Sequence, residues 1–225
     1  FMENLAKNNY TAKSVSRKTN AVKTFFRFLK TEGLVSNDPA VDLAHPHYEN
    51  TPPRVLSQQE YRALRDACRD DPRTAAMVEI LLQTGIKISE LVVIETEDVK
   101  NGELRVGTTV KNRVLPVNKA LKTAIKRYFS VRPKVTSDFL FVTKTGRPLL
   151  IRNVRTVIDR YFKASGVQKA TVNDLRNTFI AYQLASGVSL ETVNRLAGHK
   201  RTTSTERYLG LLNNQPAPKT QPEEL

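Results

Sequence analysis

Apolar residues at Val15, Val22, Phe25, Phe26 and Leu29 recur at helical spacing and predict an opening helix, with Ser14 or Ser16 available as N-cap and Glu32-Gly33 as its end. Pro46, Pro52 and Pro53 then remove backbone donors and bias their neighbours to extended forms. Residues 46–56 therefore read as a linker, and His45 and His47 fit that setting better than a metal site. Ser57-Gln-Gln-Glu60 reads as a capping box that opens a second domain. Helices are expected over 58–69, 74–83 and 89–95, followed by two short β runs, 102–106 and 113–117, that form a hairpin. A helix fits 118–130, and Phe-Leu-Phe-Val-Thr at 139–143 suggests one more strand. From Arg152 to about Leu212 the pattern is again helical, broken near Gly166, Gly187 and Gly198. The polar, proline-rich stretch 213–225 reads as a disordered tail or docking arm. The expected fold class is mainly α with a small antiparallel β-sheet, in two domains: helical at 1–45, larger at 57–212.

Charge changes this picture. The chain of 225 residues carries 36 Lys and Arg against 22 Asp and Glu, a net charge of +14. Such an excess points to a polyanionic partner, usually nucleic acid. Residues 1–30 hold seven basic side chains against one acid, Glu3. Lys13, Arg17, Lys18, Lys23 and Arg27 are the candidates to lie on DNA phosphates. No apolar run approaches the roughly 18 residues of a membrane-spanning helix, and no signal-peptide pattern opens the chain. A single cysteine, Cys68, excludes a disulfide framework and a cysteine-based zinc site, which fits a reducing, cytoplasmic setting. Three histidines leave little for a transition metal, and no cofactor is expected.

The chemistry concentrates in the last third. In Thr-Val-Asn-Asp-Leu-Arg, Asn173 is positioned to cap a helix that carries Arg176 in its first turn, where the helix dipole favours an anion. Ser189 caps the next helix, Gly198 stops it, and His199 follows the stop. Thr203-Ser-Thr-Glu206 reads as another capping box, with Tyr208 at the start of its helix. Each of these residues alone has an ordinary structural reading; their joint order and spacing is the signal.

That order resembles the tyrosine recombinases, the integrase/Xer group of site-specific DNA recombinases. Ser-Val-Ser-Arg-Lys through Asn-Asp-Pro-Ala, residues 14–40, is similar to the latter part of the family's core-binding domain. Thr-Gly-Ile-Lys-Ile-Ser-Glu-Leu resembles the segment of the first catalytic arginine, Asn-Asp-Leu-Arg-Asn-Thr-Phe the His-x-x-Arg box, Leu-Ala-Gly-His-Lys the Leu-Gly-His box, and Thr-Ser-Thr-Glu-Arg-Tyr-Leu the nucleophile motif. The resemblance implies a two-domain clamp on double-stranded DNA and a homo-oligomer, a tetramer on two DNA sites. It makes Tyr208 the nucleophile that forms a 3′-phosphotyrosyl link, Arg176 a phosphate clamp, and His199 a hydrogen-bond donor to the same phosphoryl group. The departures are as informative. Lys87 replaces the first arginine and loses its bidentate fork. Asn173 replaces the box histidine and cannot accept a proton. Thr108 stands where the hairpin lysine usually falls; Lys111, the one lysine in that turn, is the candidate general acid. The leading expectation is a recombinase with attenuated turnover. The alternative is a catalytically inactive DNA-binding descendant with an architectural or regulatory role. A relaxing enzyme similar to type IB topoisomerases fits the small size and the Xer-like motifs less well.

Overall fold

The structure is a computed structural model that describes residues 1–49, 51–108 and 111–211. The expected tail at 213–225 lies outside the described residues. The chain divides into two compact units, Phe1–Thr51 and Pro52–Leu225.

The first unit is helical: α1 (Met2–Lys7) and α2 (Ala12–Thr31). The cap of α2 is Thr11, whose hydroxyl accepts from the Ser14 N–H, so the helix starts earlier than Ser14 or Ser16 would place it. Ser16 and Thr19 are buried, and Lys23 donates to the Val41 carbonyl at 3.0 Å. Lys18 sits over the Tyr10 ring, 4.5 Å from its centroid. Two of the five expected DNA cations are therefore engaged within the unit. Lys13, Arg17 and Arg27 are exposed, and with Asn20 and Thr24 they follow a spacing of four, three, four and three that sets them on one helix face.

The second unit contains α3 (Gln58–Ala67), α4 (Pro72–Thr84), α5 (Ile88–Leu91), α6 (Lys119–Val131), α7 (Ile151–Ala164), α8 (Val172–Ala185), α9 (Leu190–Ala197) and α10 (Thr203–Glu206). Three strands, β1 (Val99–Lys100), β2 (Glu103–Thr108) and β3 (Lys111–Pro116), form an antiparallel sheet in sequence order. The Ser57–Glu60 capping box is formed as expected. Immediately before it, Leu56 is buried and donates its N–H to Thr178 Oγ1 at 2.9 Å, while Arg54 pairs with Glu60. This compact unit thus takes in the last residues of the expected linker.

The centre of the unit is α4. Ala76, Met77, Val78, Ile80, Leu81 and Leu82 are all buried, and a helix apolar all round must be enclosed; it packs against α6 and α8. Gly85 ends it at φ +62°, left-handed backbone that favours glycine, and a Cβ there would overlap the Phe179 ring of α8.

Two expected elements differ. The helix expected over 89–95 is the short α5, after which the β-branched run Val92-Val93-Ile94 leads into a 3₁₀ turn at Thr96–Asp98. The strand expected at 139–143 is buried at Leu140, Phe141 and Val142 but makes only isolated bridges, Glu95 with Phe139 and Val142 with Pro148. Arg132 explains this: its guanidinium donates to the carbonyls of Ser137, Phe139 and Leu140 at 2.8, 2.7 and 3.1 Å, taking acceptors a ladder would need.

Candidate active site

The N-terminus of α8 is capped by Thr171, not Asn173. Asp174 Oδ2 accepts from both the N–H and the hydroxyl of Thr171, at 2.8 and 2.9 Å. The Asp174 N–H in turn bonds the Thr171 backbone carbonyl at 2.9 Å, and Asn173, inside the helix, is left exposed. Arg176 follows in the same turn and donates to the carbonyl of Gly85, which ties α8 to the end of α4. Burial lowers its pKa, while Glu90 and Tyr208 favour its charge and Arg113 opposes it.

Lys87 precedes α5 with its side chain exposed, and its N–H donates to Glu90 Oε2 at 2.7 Å. Glu90 also accepts a fork from Arg113 of β3 at 2.9 and 3.0 Å. Burial works against the Glu90 carboxylate, yet the bonds from Arg113 and Lys87 hold its pKa below the ordinary value. Arg113 Nε donates onward to the Leu196 carbonyl at 2.8 Å, so one side chain joins β3, α5 and the end of α9. Gly198 stops α9 at φ +67°, and a Cβ there would lie 2.7 Å from Arg113 Nη1.

His199 follows that stop. Burial, then the positive charges of Arg176, Lys87, Arg207 and Arg113, push its pKa down to about 4. Its Nδ1 lies 2.7 Å from Thr205 Oγ1. Downstream, Thr202 is αR and makes no cap hydrogen bond, so the expected capping box is absent; α10 is a single turn, and Tyr208 lies beyond its end rather than at its start. Tyr208 is buried, and its hydroxyl donates to Asn177 Oδ1 at 2.7 Å, while Asn177 Nδ2 donates to Asp174 Oδ1 at 3.1 Å. Burial pushes the phenol pKa up against the pull of Arg207 and Arg176.

The structure therefore brings Arg176, His199, Lys87 and Tyr208 into one electrostatic cluster: Arg176 acts on His199 and Tyr208, and Lys87 acts on His199. Lys111 opens β3 opposite Thr108, at the turn end of the hairpin. Sequence reasoning missed Glu90, Arg113, Asn177, Asn194 and Thr205. Local spacing signals two of them, Glu90 three residues after Lys87 and Asn177 three after Asp174; Arg113 reaches its partner across 23 positions, with no local sign. Among the described residues, no three of His, Cys, Asp or Glu gather as a metal-ligand set, and no helix is long and apolar enough to cross a membrane.

Solved structures share this fold. A XerA recombinase aligns with TM-score 0.68 at 24% identity, covering 92% of this chain and 81% of that one. The Tn1549 transposon integrase, in complex with a circular intermediate DNA, aligns with TM-score 0.74 at 19% identity over 91% and 77% of the two chains. The fold class is that of the tyrosine recombinases. The tyrosine recombinase XerC of Staphylococcus saprophyticus is 32% identical over 226 residues, spanning 96% of this chain and 76% of that protein. The tyrosine recombinase XerD of Listeria innocua is 28% identical over 92% and 75%. The phage integrase family matches residues 54–215, and the chain belongs to that family.

Proposed function

We propose that this protein is a site-specific recombinase that cuts and rejoins double-stranded DNA, with Tyr208 as nucleophile. The observation that carries the reading is a buried tyrosine hydroxyl that donates to Asn177, the residue next to Arg176 in the chain, and so lies within the field of that arginine. The Tyr208 oxygen bonds to the scissile phosphorus as the bond to the 5′-oxygen breaks. The phenol gives up its proton and the 5′-hydroxyl gains one. The strand is left as a 3′-phosphotyrosyl link, and the reverse attack rejoins it. Arg176 holds a non-bridging oxygen through its donor fork and His199 hydrogen-bonds the same phosphoryl group. Lys87 supplies charge without the fork, and Asn173, exposed one turn before Arg176, takes no proton from the nucleophile. Lys111 is the candidate donor to the leaving 5′-oxygen. Because the Tyr208 hydroxyl is given to Asn177, attack begins with its release from that hydrogen bond.

Losing one preorganised charge contact costs about 10²–10³ in rate, and such losses do not simply add; with Lys87, Asn173 and Thr108 at three positions, turnover is attenuated. Lys13, Arg17 and Arg27 on the exposed face of α2 hold phosphates, with Lys18 and Lys23 beside them. Homologous structures support DNA as the partner: one λ integrase structure is a dimer bound to a core site. The working assembly proposed for this chain is a tetramer that closes on two DNA sites, each protomer clamping the duplex.

The test is a nicked suicide duplex carrying the element's own ends, resolved on a denaturing gel. A covalent protein–DNA band that disappears in Tyr208→Phe and strengthens in Lys87→Arg is expected. No band in either the native protein or Lys87→Arg, with salt-sensitive DNA binding intact, refutes the enzymatic reading.

A further inference from the structure

Thr205 is fully buried, and its hydroxyl has one proton to give. Asn194 decides where that proton goes. Its Nδ2 faces the backbone carbonyl of His199 at 3.4 Å, which leaves Oδ1 as the atom 2.9 Å from Thr205 Oγ1. Reversing the amide would set two oxygens against each other at that carbonyl. The Thr205 proton is thus committed to Asn194, and Oγ1 meets His199 Nδ1 at 2.7 Å with a lone pair. Two lone pairs at that distance repel, so Nδ1 carries the hydrogen. The Thr205 carbonyl also accepts the Tyr208 N–H at 3.0 Å, which places the same residue on the nucleophile's own turn.

We infer that Thr205 and Asn194 are positioning residues that lock His199 in its Nδ1–H form, so that Nε2 donates to a phosphoryl oxygen only after His199 takes up a proton. This rests on reading His199 as a phosphate ligand. In the neutral locked ring Nε2 has a lone pair, which would repel a phosphate oxygen; a proton from solvent converts it to a donor. The charged groups that act most strongly on the ring are cations: Arg176 of α8, Lys87 ahead of α5, Arg207 before the nucleophile and Arg113 of β3. With burial they keep the ring neutral in the free protein. An arriving phosphodiester offsets those cations and makes the imidazolium favourable. Engagement of the scissile phosphate is therefore coupled to uptake of one proton, and cleavage weakens as pH rises.

The chain has three histidines, so the imidazole nitrogens of His199 are readable by ¹⁵N NMR after assignment with His199→Gln. At pH 7, without DNA, Nδ1 is expected at the protonated-nitrogen shift and Nε2 at the lone-pair shift. Thr205→Val should give a mixture of tautomers or Nε2–H, and Thr205→Ser should restore the native pattern. Nε2–H in the native protein, or an unchanged spectrum in Thr205→Val, overturns the inference. If Thr205→Val fails to fold, Asn194→Leu tests the same lock by freeing the Thr205 hydroxyl to donate to Nδ1. In the suicide-DNA assay the native rate should fall about tenfold per pH unit on the alkaline side, whereas Thr205→Val should lose that slope. A native rate flat across the alkaline range overturns the coupling. Absence of any adduct at all refutes the recombinase reading instead, and the NMR result stands apart from it.

Discussion

Replacing Arg113 with methionine keeps the apolar stem of the side chain and removes the guanidinium that three segments share. The variant loses the forked bond to Glu90 and the bond to the Leu196 carbonyl. Breaking a buried ion pair from one side costs about 3–5 kcal/mol, because the remaining charge is stranded. Here the two side chains are 15% and 18% exposed, so water relieves part of that, and about 2–3 kcal/mol is expected for the pair. The carbonyl at the end of α9 adds about 1 kcal/mol. A urea titration of the whole protein at pH 7 should therefore show a deficit of about 3–4 kcal/mol. The deficit has a pH signature. Arg113 lowers the folded pKa of Glu90 below its ordinary 4.5, so the pair stabilises the native protein above that pH and loses its effect as pH falls through the folded value. The variant's disadvantage should shrink in acid. A double-mutant cycle with Glu90→Gln isolates the pair. A deficit under about 1 kcal/mol, or coupling within the roughly 0.5 kcal/mol scatter of independent sites, refutes the reasoning.

Other outcomes follow from the same geometry. Asn177→Leu strands the buried Tyr208 hydroxyl and should cost about 1–3 kcal/mol, read by thermal unfolding; the phenol should also be freed for attack, so adduct formation need not fall in step with stability. Gly85→Ala places a Cβ against the Phe179 ring at a φ of +62° and should destabilise by more than the roughly 1–2 kcal/mol of left-handed strain alone, measured by denaturant titration. The folded pKa of His199, about 4, lies below its ordinary 6.5, so the unfolded chain binds a proton first and native stability declines as pH falls through that window; His199→Phe should flatten the decline in a pH series of melts. Replacing Lys13, Arg17 and Arg27 together with alanine should lower the slope of log binding constant against log salt by about 0.9 for each phosphate that the variant no longer neutralises.

The sequence pattern made the helices of the second unit legible because their starts and stops are local chemistry. Ser57 with Glu60, Asn118 before α6, Ser189 before α9, and glycines at 85 and 198 each act within a few residues of themselves. Misreadings came where two local signals competed or a distant one intervened. At α8, Asn173 is a good capping residue by type, but Thr171 takes the cap position because Asp174 accepts from both its N–H and its hydroxyl. At 139–143 the β pattern is real, and a guanidinium seven residues upstream of Phe139 takes the carbonyls instead. The same distinction runs through the site. The order of Arg176, His199 and Tyr208 along the chain was readable, but the contacts between distant segments that set their states were not.

Those contacts share a feature: each joins a signalled residue to an element that the sequence gives no reason to place beside it. Arg113 binds the carboxylate that anchors Lys87 and the carbonyl two residues before Gly198, so the hairpin positions both the first and third boxes of the site. Asp174, spent on the cap of α8 through one oxygen, uses the other to turn Asn177 toward Tyr208. The helix start and the nucleophile are therefore one hydrogen-bonded chain. A substitution at Asp174 intended only to weaken the cap should also release the tyrosine hydroxyl. Asp174→Asn keeps the shape of the side chain. It turns one acceptor oxygen into an NH2 that only donates, so the bonds on that side, from Thr171 or from Asn177, are lost and those on the other side lose the help of the charge, at about 1–3 kcal/mol. Because the Asp174 carboxylate raises the Tyr208 pKa, the phenol in that variant should titrate at lower pH than in the native protein. Ultraviolet titration of the tyrosines, by difference against Tyr208→Phe, reads that shift directly. A Tyr208 titration unmoved by Asp174→Asn, in a variant that has lost helix stability, would mean that the cap and the nucleophile are independent after all.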